Sequence, residues 1–348
     1  MSDIQGLAAH AAGAQLLSFR YSPGQLGAFD VEVRVSHCGV CHSDIHLIDH
    51  DWGISRYPLI PGHEIIGTVT AVGSNVHGPA TGSPASVLAG VVTVGQRVGI
   101  GWQADSCGIC EWCRSGEEHL CPKAQPTCVG RHGGFAEAVR VNSRFAIPIP
   151  DTLDSVSAAP LLCAGVTVYS PLRNHGARPA SRVGVVGIGG LGHLAIQFAR
   201  AFGSEVTAFS SSKDKEAEAL SLGAHAFVNT RETSAIKKLS RSFDLILSAV
   251  SGDQDLRHFI EALRPKGTLV ILGAGPSPLQ IPGASLIGGE LCVAGSNIGS
   301  PRDLREMLAV AARHNITAIT ERFALKDANT AVARVKKNQV RYRAVLTP

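Results

Sequence analysis

The run Arg182–Gly203, RVGVVGIGGLGHLAIQFARAFG, leaves a chain few ways to fold. An apolar strand leads into Gly187-x-Gly189-x-x-Gly192, and a helical pattern follows. In such a turn Gly187 permits the tight bend, and Gly189 lets the backbone approach a pyrophosphate. Gly192 lets helix and strand pack closely, while Gly190 and Leu191 complete the turn at the positive end of the helix. The glycines alone are weak evidence. Here EVTAFS, HAFVNT, FDLILSAV and GTLVILG follow as further short strands, with helix-like stretches between most of them. That alternation predicts a parallel sheet with helices on both faces.

The end of the second strand bears on the ligand. Dinucleotide folds that take NAD usually carry an acid about 20 residues on, for the ribose 2′-hydroxyl. This chain has FSSSKDK. Ser210, Ser211 and Ser212 offer hydroxyls, and Lys213 and Lys215 offer positive charge, which suits a 2′-phosphate and so NADP(H). Asp214 is the counter-indication, but it lies inside the basic stretch at an expected helix start.

The 348 residues suggest two domains. FDVEVRVS alternates valines with polar residues, HEIIGTVTAVG and QRVGIG are further strands, and the first ~150 residues read as β-rich. HGPATGSPASVLAG (77–90) reads as a long surface loop. SPRDLREMLAVAARHN has Ser300 as N-cap, Pro301 at the first helical position and Asp303 in the first turn. The terminal VRYRAVL reads as one more strand that could rejoin the first domain. Net charge is +4 without a dense basic cluster, which gives no case for nucleic acid or a membrane surface. The opening MSDIQGLAAHAAGAQLL makes a poor secretory signal, and a cytoplasmic location is the default expectation. The nine cysteines then read as metal ligands or buried thiols rather than disulfides.

Two stretches carry metal chemistry. CGICEWCRSGEEHLC spaces Cys107, Cys110, Cys113 and Cys121 so that four thiolates can converge on one zinc. Four thiolates fill the coordination sphere, so this zinc would be structural. An iron–sulfur cluster is the competing reading, although those motifs place the fourth cysteine nearer. HCGVCHSDIH (37–46) holds five candidate ligands on a strand leading into a turn, and its own spacing does not choose among them.

GVCHSDIH, DWGISRYPLIPGHEIIGTVTAVG, CGICEWCRSGEEHLC, GGFAEAV, LLCAGVTVY, GIGGLGHLAIQFA, FSSSKDK and VRYRAVL occur in order over nearly the whole chain. In these the chain resembles the zinc-dependent medium-chain alcohol dehydrogenases, most of all the NADP-dependent branch that includes cinnamyl alcohol dehydrogenases. The resemblance implies an α/β protein. A GroES-like β-rich catalytic domain would span 1–152 and 293–348, and a Rossmann domain with a doubly wound parallel sheet 153–292. It implies two Zn2+ per chain, the catalytic one on Cys41, His63 and Cys163, with Glu64 beside it as an exchangeable neighbour. Three protein ligands leave a position open, as a catalytic site needs. Ser43 and His46 would relay the proton, Asp44 would orient His63, and His42 would help hold the cofactor pyrophosphate. Trp52, Ile54 and Trp102 would line the substrate pocket. Cys38, Cys128 and Cys292 are left as ordinary thiols.

The activity implied is hydride transfer between NADP(H) and a primary alcohol/aldehyde pair, with broad use of uncharged aromatic or aliphatic aldehydes. By the same analogy the partner is a second copy of the chain, in a homodimer formed through edge strands of the cofactor domain. The chain departs from the family pattern at 77–93, where the link is longer than usual, and at Gln96, where the family usually has Asp. Two alternatives stay open: an NAD-linked alcohol, polyol or formaldehyde dehydrogenase of the same fold, and a non-catalytic zinc-stabilised nucleotide-binding protein.

Overall fold

The computed structural model describes residues 3–76, 92–250, 252, 255–273 and 277–348. The chain divides into two compact units, Met1–Cys163 with Gly299–Pro348, and Ala164–Ile298. Most of the loop expected at 77–93 lies outside the described residues. Thr93 closes its far end, where its backbone N–H donates to Gln96 Oε1 at 3.0 Å.

The first unit is built on a seven-stranded sheet. Its order is Thr320–Ala324, Arg343–Thr347, Asp30–Val40, Glu64–Val72, Arg97–Ile100 and Ile147–Pro148, with Ala138–Asn142 also paired to Asp30–Val40. Val31, Val33 and Val35 are buried while Glu32 and Arg34 face outward, the period-2 pattern read from the sequence. The register then slips between Val35 and His37, a bulge that resets which residues point inward. Beyond it Cys38 and Val40 are buried. The terminal strand Arg343–Thr347 does rejoin this sheet, antiparallel to Asp30–Val40, with Ala344 opposite Val40 and Leu346 opposite Cys38.

HCGVCHSDIH does not run from strand into turn. The strand stops at Val40 and a helix spans His42–Asp49. Cys41 takes the N-cap position with extended backbone, and Asp44 Oδ2 accepts from its N–H at 2.9 Å. Ile45, Leu47 and Ile48 are buried and supply the apolar stripe. The dense ligand residues had masked that spacing.

The second unit holds six parallel strands in the order Ala226–Asn229, Glu205–Ser210, Arg182–Val186, Phe243–Ser248, Leu263–Ile271 and Cys292–Gly295. The sequence order reverses beside Arg182–Val186, the kind of switch point where open α/β sheets bind ligands. Its core gathers Val186, Phe209, Ile246, Ile260 and Leu269. The helix Pro301–His314 of the first unit opens as the sequence predicts. Ser300 Oγ accepts from Asp303 N at 3.2 Å, and Asp303 Oδ2 accepts from Ser300 N at 2.9 Å. Among the described residues no single helix is long and apolar enough to cross a membrane.

Candidate metal centres and dinucleotide site

Cys41, His63, Glu64 and Cys163 come from the start of a helix, the lead-in to a strand, that strand's first residue and the end of a short helical turn. One ligand atom from each lies within 4.8 Å of all the others. Cys41 Sγ and Cys163 Sγ are 4.0 Å apart. Two sulfurs about 2.3 Å from one tetrahedral zinc would lie about 3.8 Å apart, so the pair has metal-site spacing rather than disulfide spacing. His63 is fully buried, and its Nε2 makes no hydrogen bond of good geometry among the described residues. A buried ring nitrogen in that state fits a metal ligand. The contact between the two thiols holds Cys41 well below the usual thiol range and Cys163 well above it.

Asp44 organises two of these residues through one carboxylate. Its Oδ2 accepts from Cys41 N, and its Oδ1 accepts from Gly62 N at 2.9 Å and from His63 Nδ1 at 2.8 Å. Burial lowers the basicity of His63, but the Asp44 carboxylate outweighs it and the imidazole is raised overall. A carboxylate on Nδ1 turns Nε2 toward the thiols.

Glu64 is fully buried, and burial pushes its carboxyl up to about 7 against the pull of Arg343. Arg343 Nη2 donates to Glu64 Oε1, while Glu64 Oε2 has no partner among the described residues. Gly39 makes room for that side chain, since a Cβ there would fall 1.9 Å from Glu64 Oε2. Sequence reasoning found Glu64 and missed Arg343. The only available signal was a pair of arginines, Arg341 and Arg343, in a strand-like run, VRYRAVL.

Ser43 Oγ lies 3.7 Å from Cys41 Sγ. His46, one helical turn on, pairs its Nδ1 with Asp51 Oδ2 at 2.7 Å near solvent. Asp51 too was missed: it opens the run DWGISRYPLIPGHEIIGTVTAVG just after the helix, and nothing in that run marks it as a partner of His46. The Trp52 and Trp102 rings are perpendicular with centroids 5.9 Å apart. Trp102 meets the His63 ring at 5.0 Å, and His46 meets Trp52 at 5.1 Å. An aromatic run therefore links the relay candidates to the ligand cluster. Ile54 is exposed and joins no ring pair. His42 is half-buried at the first position of the helix. His37 shares a 3.0 Å hydrogen bond with Ser36, and Cys38 is a buried free thiol.

Cys107, Cys110, Cys113 and Cys121 also gather their sulfurs within 4.8 Å. Cys107 lies 3.9 Å from Cys113 and 3.6 Å from Cys121. Backbone N–H groups of Ile109 and Cys110 point at the Cys107 sulfur and lower its thiol to about 6, and Lys123 N donates to Cys121 Sγ at 3.3 Å. Amides aimed at sulfur stabilise thiolates, the form in which cysteine binds metal.

In the second unit Gly187 has φ +89°, and a Cβ on Gly192 would lie 1.8 Å from Gly187 O, so only glycine closes this strand-to-helix turn. A Cβ on Gly189 would meet nothing within 4 Å, which leaves open space where a pyrophosphate could approach. Gly190 and Leu191 are half-buried in the same turn. Lys215 Nζ donates to Ile188 O at 2.6 Å, tying the FSSSKDK segment to the glycine turn. Ser211 and Lys213 are exposed and Ser212 half-buried. Ser210 is buried, with its Oγ accepting from Ser212 N at 3.1 Å.

Residues 27–151 match the family model of the alcohol dehydrogenase GroES-like domain, and residues 190–313 match that of zinc-binding dehydrogenase. Aldehyde reductase AdhA of Synechocystis sp. is 42% identical over 99% of this chain and 98% of its own length. The chain belongs to the zinc-dependent alcohol dehydrogenase family. Cinnamyl alcohol dehydrogenase 8 of Arabidopsis thaliana is 41% identical, over 98% of this chain and 94% of its own. Among solved structures, a cinnamyl alcohol dehydrogenase from Sorghum bicolor has a TM-score of 0.92 at 38% identity, covering 99% of this chain and 98% of that one. The CAD of Helicobacter pylori complexed with NADP(H) has a TM-score of 0.88 at 30% identity, covering 99% and 98%. As a zinc-dependent alcohol dehydrogenase, the chain has both cysteine clusters that its family resemblance implies and the two-unit plan of a GroES-like domain with a Rossmann sheet.

Proposed function

We propose that this chain interconverts uncharged aldehydes and primary alcohols with NADP(H), holding a catalytic zinc on Cys41, His63 and Cys163 with Glu64 as neighbour, and a structural zinc on Cys107, Cys110, Cys113 and Cys121. The single observation that carries this is the convergence of two thiols with the buried Nε2 of His63, which has no hydrogen bond of good geometry among the described residues, in a member of this family. When bound, zinc supplies Lewis-acid polarisation of a carbonyl oxygen, and the nicotinamide supplies or accepts the hydride.

The chain's own part is positioning and proton traffic. Asp44 holds Cys41 and His63 in register through one carboxylate. Ser43 Oγ, beside Cys41, exchanges a proton with the substrate oxygen, and His46 carries that proton to the surface. Trp52 and Trp102 offer an aromatic corner with no fixed charge, which favours uncharged, flat or apolar aldehydes over acids. Ile54 extends the same wall. In the second unit the glycines of 187–192 take the pyrophosphate. Ser210, Ser211, Ser212, Lys213 and Lys215 take the ribose 2′-phosphate.

The relatives named above as an aldehyde reductase and cinnamyl alcohol dehydrogenases support the substrate class, and the NADP(H) complex supports the cofactor. A homodimer fits the position of Cys292–Gly295 as the outer strand of the six-stranded sheet. Nine free thiols fit a reducing compartment such as the cytoplasm.

The test follows oxidation of NADPH and NADH with benzyl, cinnamyl and medium-chain aliphatic aldehydes, before and after removal of zinc. Faster turnover with NADPH, lost with the metal and restored by Zn2+, is expected. Preference for NADH would overturn the cofactor assignment, and undiminished turnover without zinc would overturn the centre.

The relay makes its own prediction. Asp51→Asn keeps the shape but removes the anion that orients His46. General acid–base groups contribute roughly 10²–10⁴-fold, so a group acting through His46 should be worth about tenfold in kcat. The Km for NADPH should stay put. An unchanged kcat across the pH range would exclude Asp51 from the relay.

A further inference from the structure

Cys128 belongs to no motif, yet it is buried beside the most important histidine in the chain. Its Sγ, an Asp44 carboxylate oxygen and a His63 ring nitrogen all lie within 4.8 Å of one another. The thiol donates to Gly62 O at 3.2 Å. That carbonyl also accepts from Gly134 N at 2.8 Å, while Gly62 N donates to Asp44 Oδ1. Gly62, with φ +104°, leads directly into His63. Its N–H and its C=O are therefore both tethered, the first by Asp44 and the second by Cys128 and Gly134. The sulfur is also wedged in place, because a Cβ on Gly133 would lie 2.7 Å from it.

We infer that Cys128 is a positioning residue for His63: its S–H fixes the Gly62–His63 peptide and so the aim of Nε2 toward Cys41 and Cys163. The inference rests on the reading that these three residues hold a zinc ion. Two independent observations meet here. The thiol grips the peptide that carries the ligand, and the ligand's outer nitrogen is buried, without a hydrogen bond of good geometry among the described residues, in the cluster that holds the two sulfurs. Side chains just beyond metal ligands typically control affinity by 10–100-fold. Cys128 acts through a carbonyl that keeps its bond from Gly134, so its effect belongs at the lower end of that range.

The test measures zinc release from the intact protein into a chelating indicator, without substrate or cofactor. The wild type should give up two zinc ions per chain in separable phases. Cys163→Ala, which lacks the catalytic ligand set, identifies the phase that belongs to the four-cysteine lobe. Cys128→Ala should then speed the other phase by about tenfold and leave the lobe's phase unchanged. Cys128→Ser, which keeps a donor, should release at close to the wild-type rate, although both substitutions disturb packing.

The inference is overturned if Cys128→Ala leaves both rates as they were. It is equally overturned if alanine and serine speed both phases alike, the mark of general loosening. A wild-type chain that binds only one zinc would instead sink the catalytic centre proposed above, and this inference with it.

Discussion

Cys163→Ala is expected to lower kcat/Km for aldehyde reduction by about 10³-fold and to leave one zinc ion per chain instead of two. Polarisation of a carbonyl by a fixed metal is worth several kcal/mol, and about 4 kcal/mol corresponds to that factor. Cys163 is buried, and its sulfur sits 4.0 Å from that of Cys41. Without it the set shrinks to Cys41 and His63, with Glu64 turned to Arg343. Two ligands do not define the three-ligand, one-opening geometry of a catalytic zinc. The substitution removes one small side-chain atom, so the fold should survive, and zinc content with a melting curve separates metal loss from unfolding. NADPH should still bind, because its proposed contacts are mostly in the other unit. A variant retaining both zinc ions and near-normal turnover would remove Cys163 from the centre.

What the sequence made legible is what it encodes locally. The turn Gly187–Gly192 and the lobe Cys107–Cys121 each place their chemistry within 15 residues or fewer, so spacing alone carried the reading. The helix His42–Asp49 was obscured by the residues that make it interesting. Polar ligand candidates dilute its apolar stripe, and the cap is a cysteine, which is no usual helix start. The union of Cys41, His63 and Cys163 was reached only through family resemblance, since the ligands lie up to 122 positions apart. The roles of Asp51, Cys128 and Arg343 were not legible. Each matters through a contact made in three dimensions: to a histidine in the preceding helix, to a carbonyl 66 positions away, and to a carboxylate 279 positions away.

That last contact sets the second large effect. Arg343→Met should destabilise the first unit by about 3–5 kcal/mol, the usual result of removing one partner from a buried ion pair. Arg343 and Glu64 are both buried, and Arg343 reaches the carboxylate from the C-terminal strand. Methionine fills similar space but leaves the buried Glu64 carboxyl without its cation. The pair is also a strap, because Arg343 begins the strand that lies antiparallel to Asp30–Val40 and ends in Thr347.

A double-mutant cycle separates charge from packing. Glu64→Gln combined with Arg343→Met removes both charges, so it should recover much of the stability that Arg343→Met loses. Thermal unfolding of the four proteins, each carrying its full zinc, reads the coupling. A loss below about 1 kcal/mol in Arg343→Met, the range of an exposed pair, would mean that Glu64 is satisfied by something other than Arg343. A full loss that Glu64→Gln fails to relieve would mean that the guanidinium matters for what it packs against. Either result would detach the C-terminal strand from the electrostatics of the centre, whereas recovery in the double variant ties the last strand of the chain to the residue beside its proposed zinc.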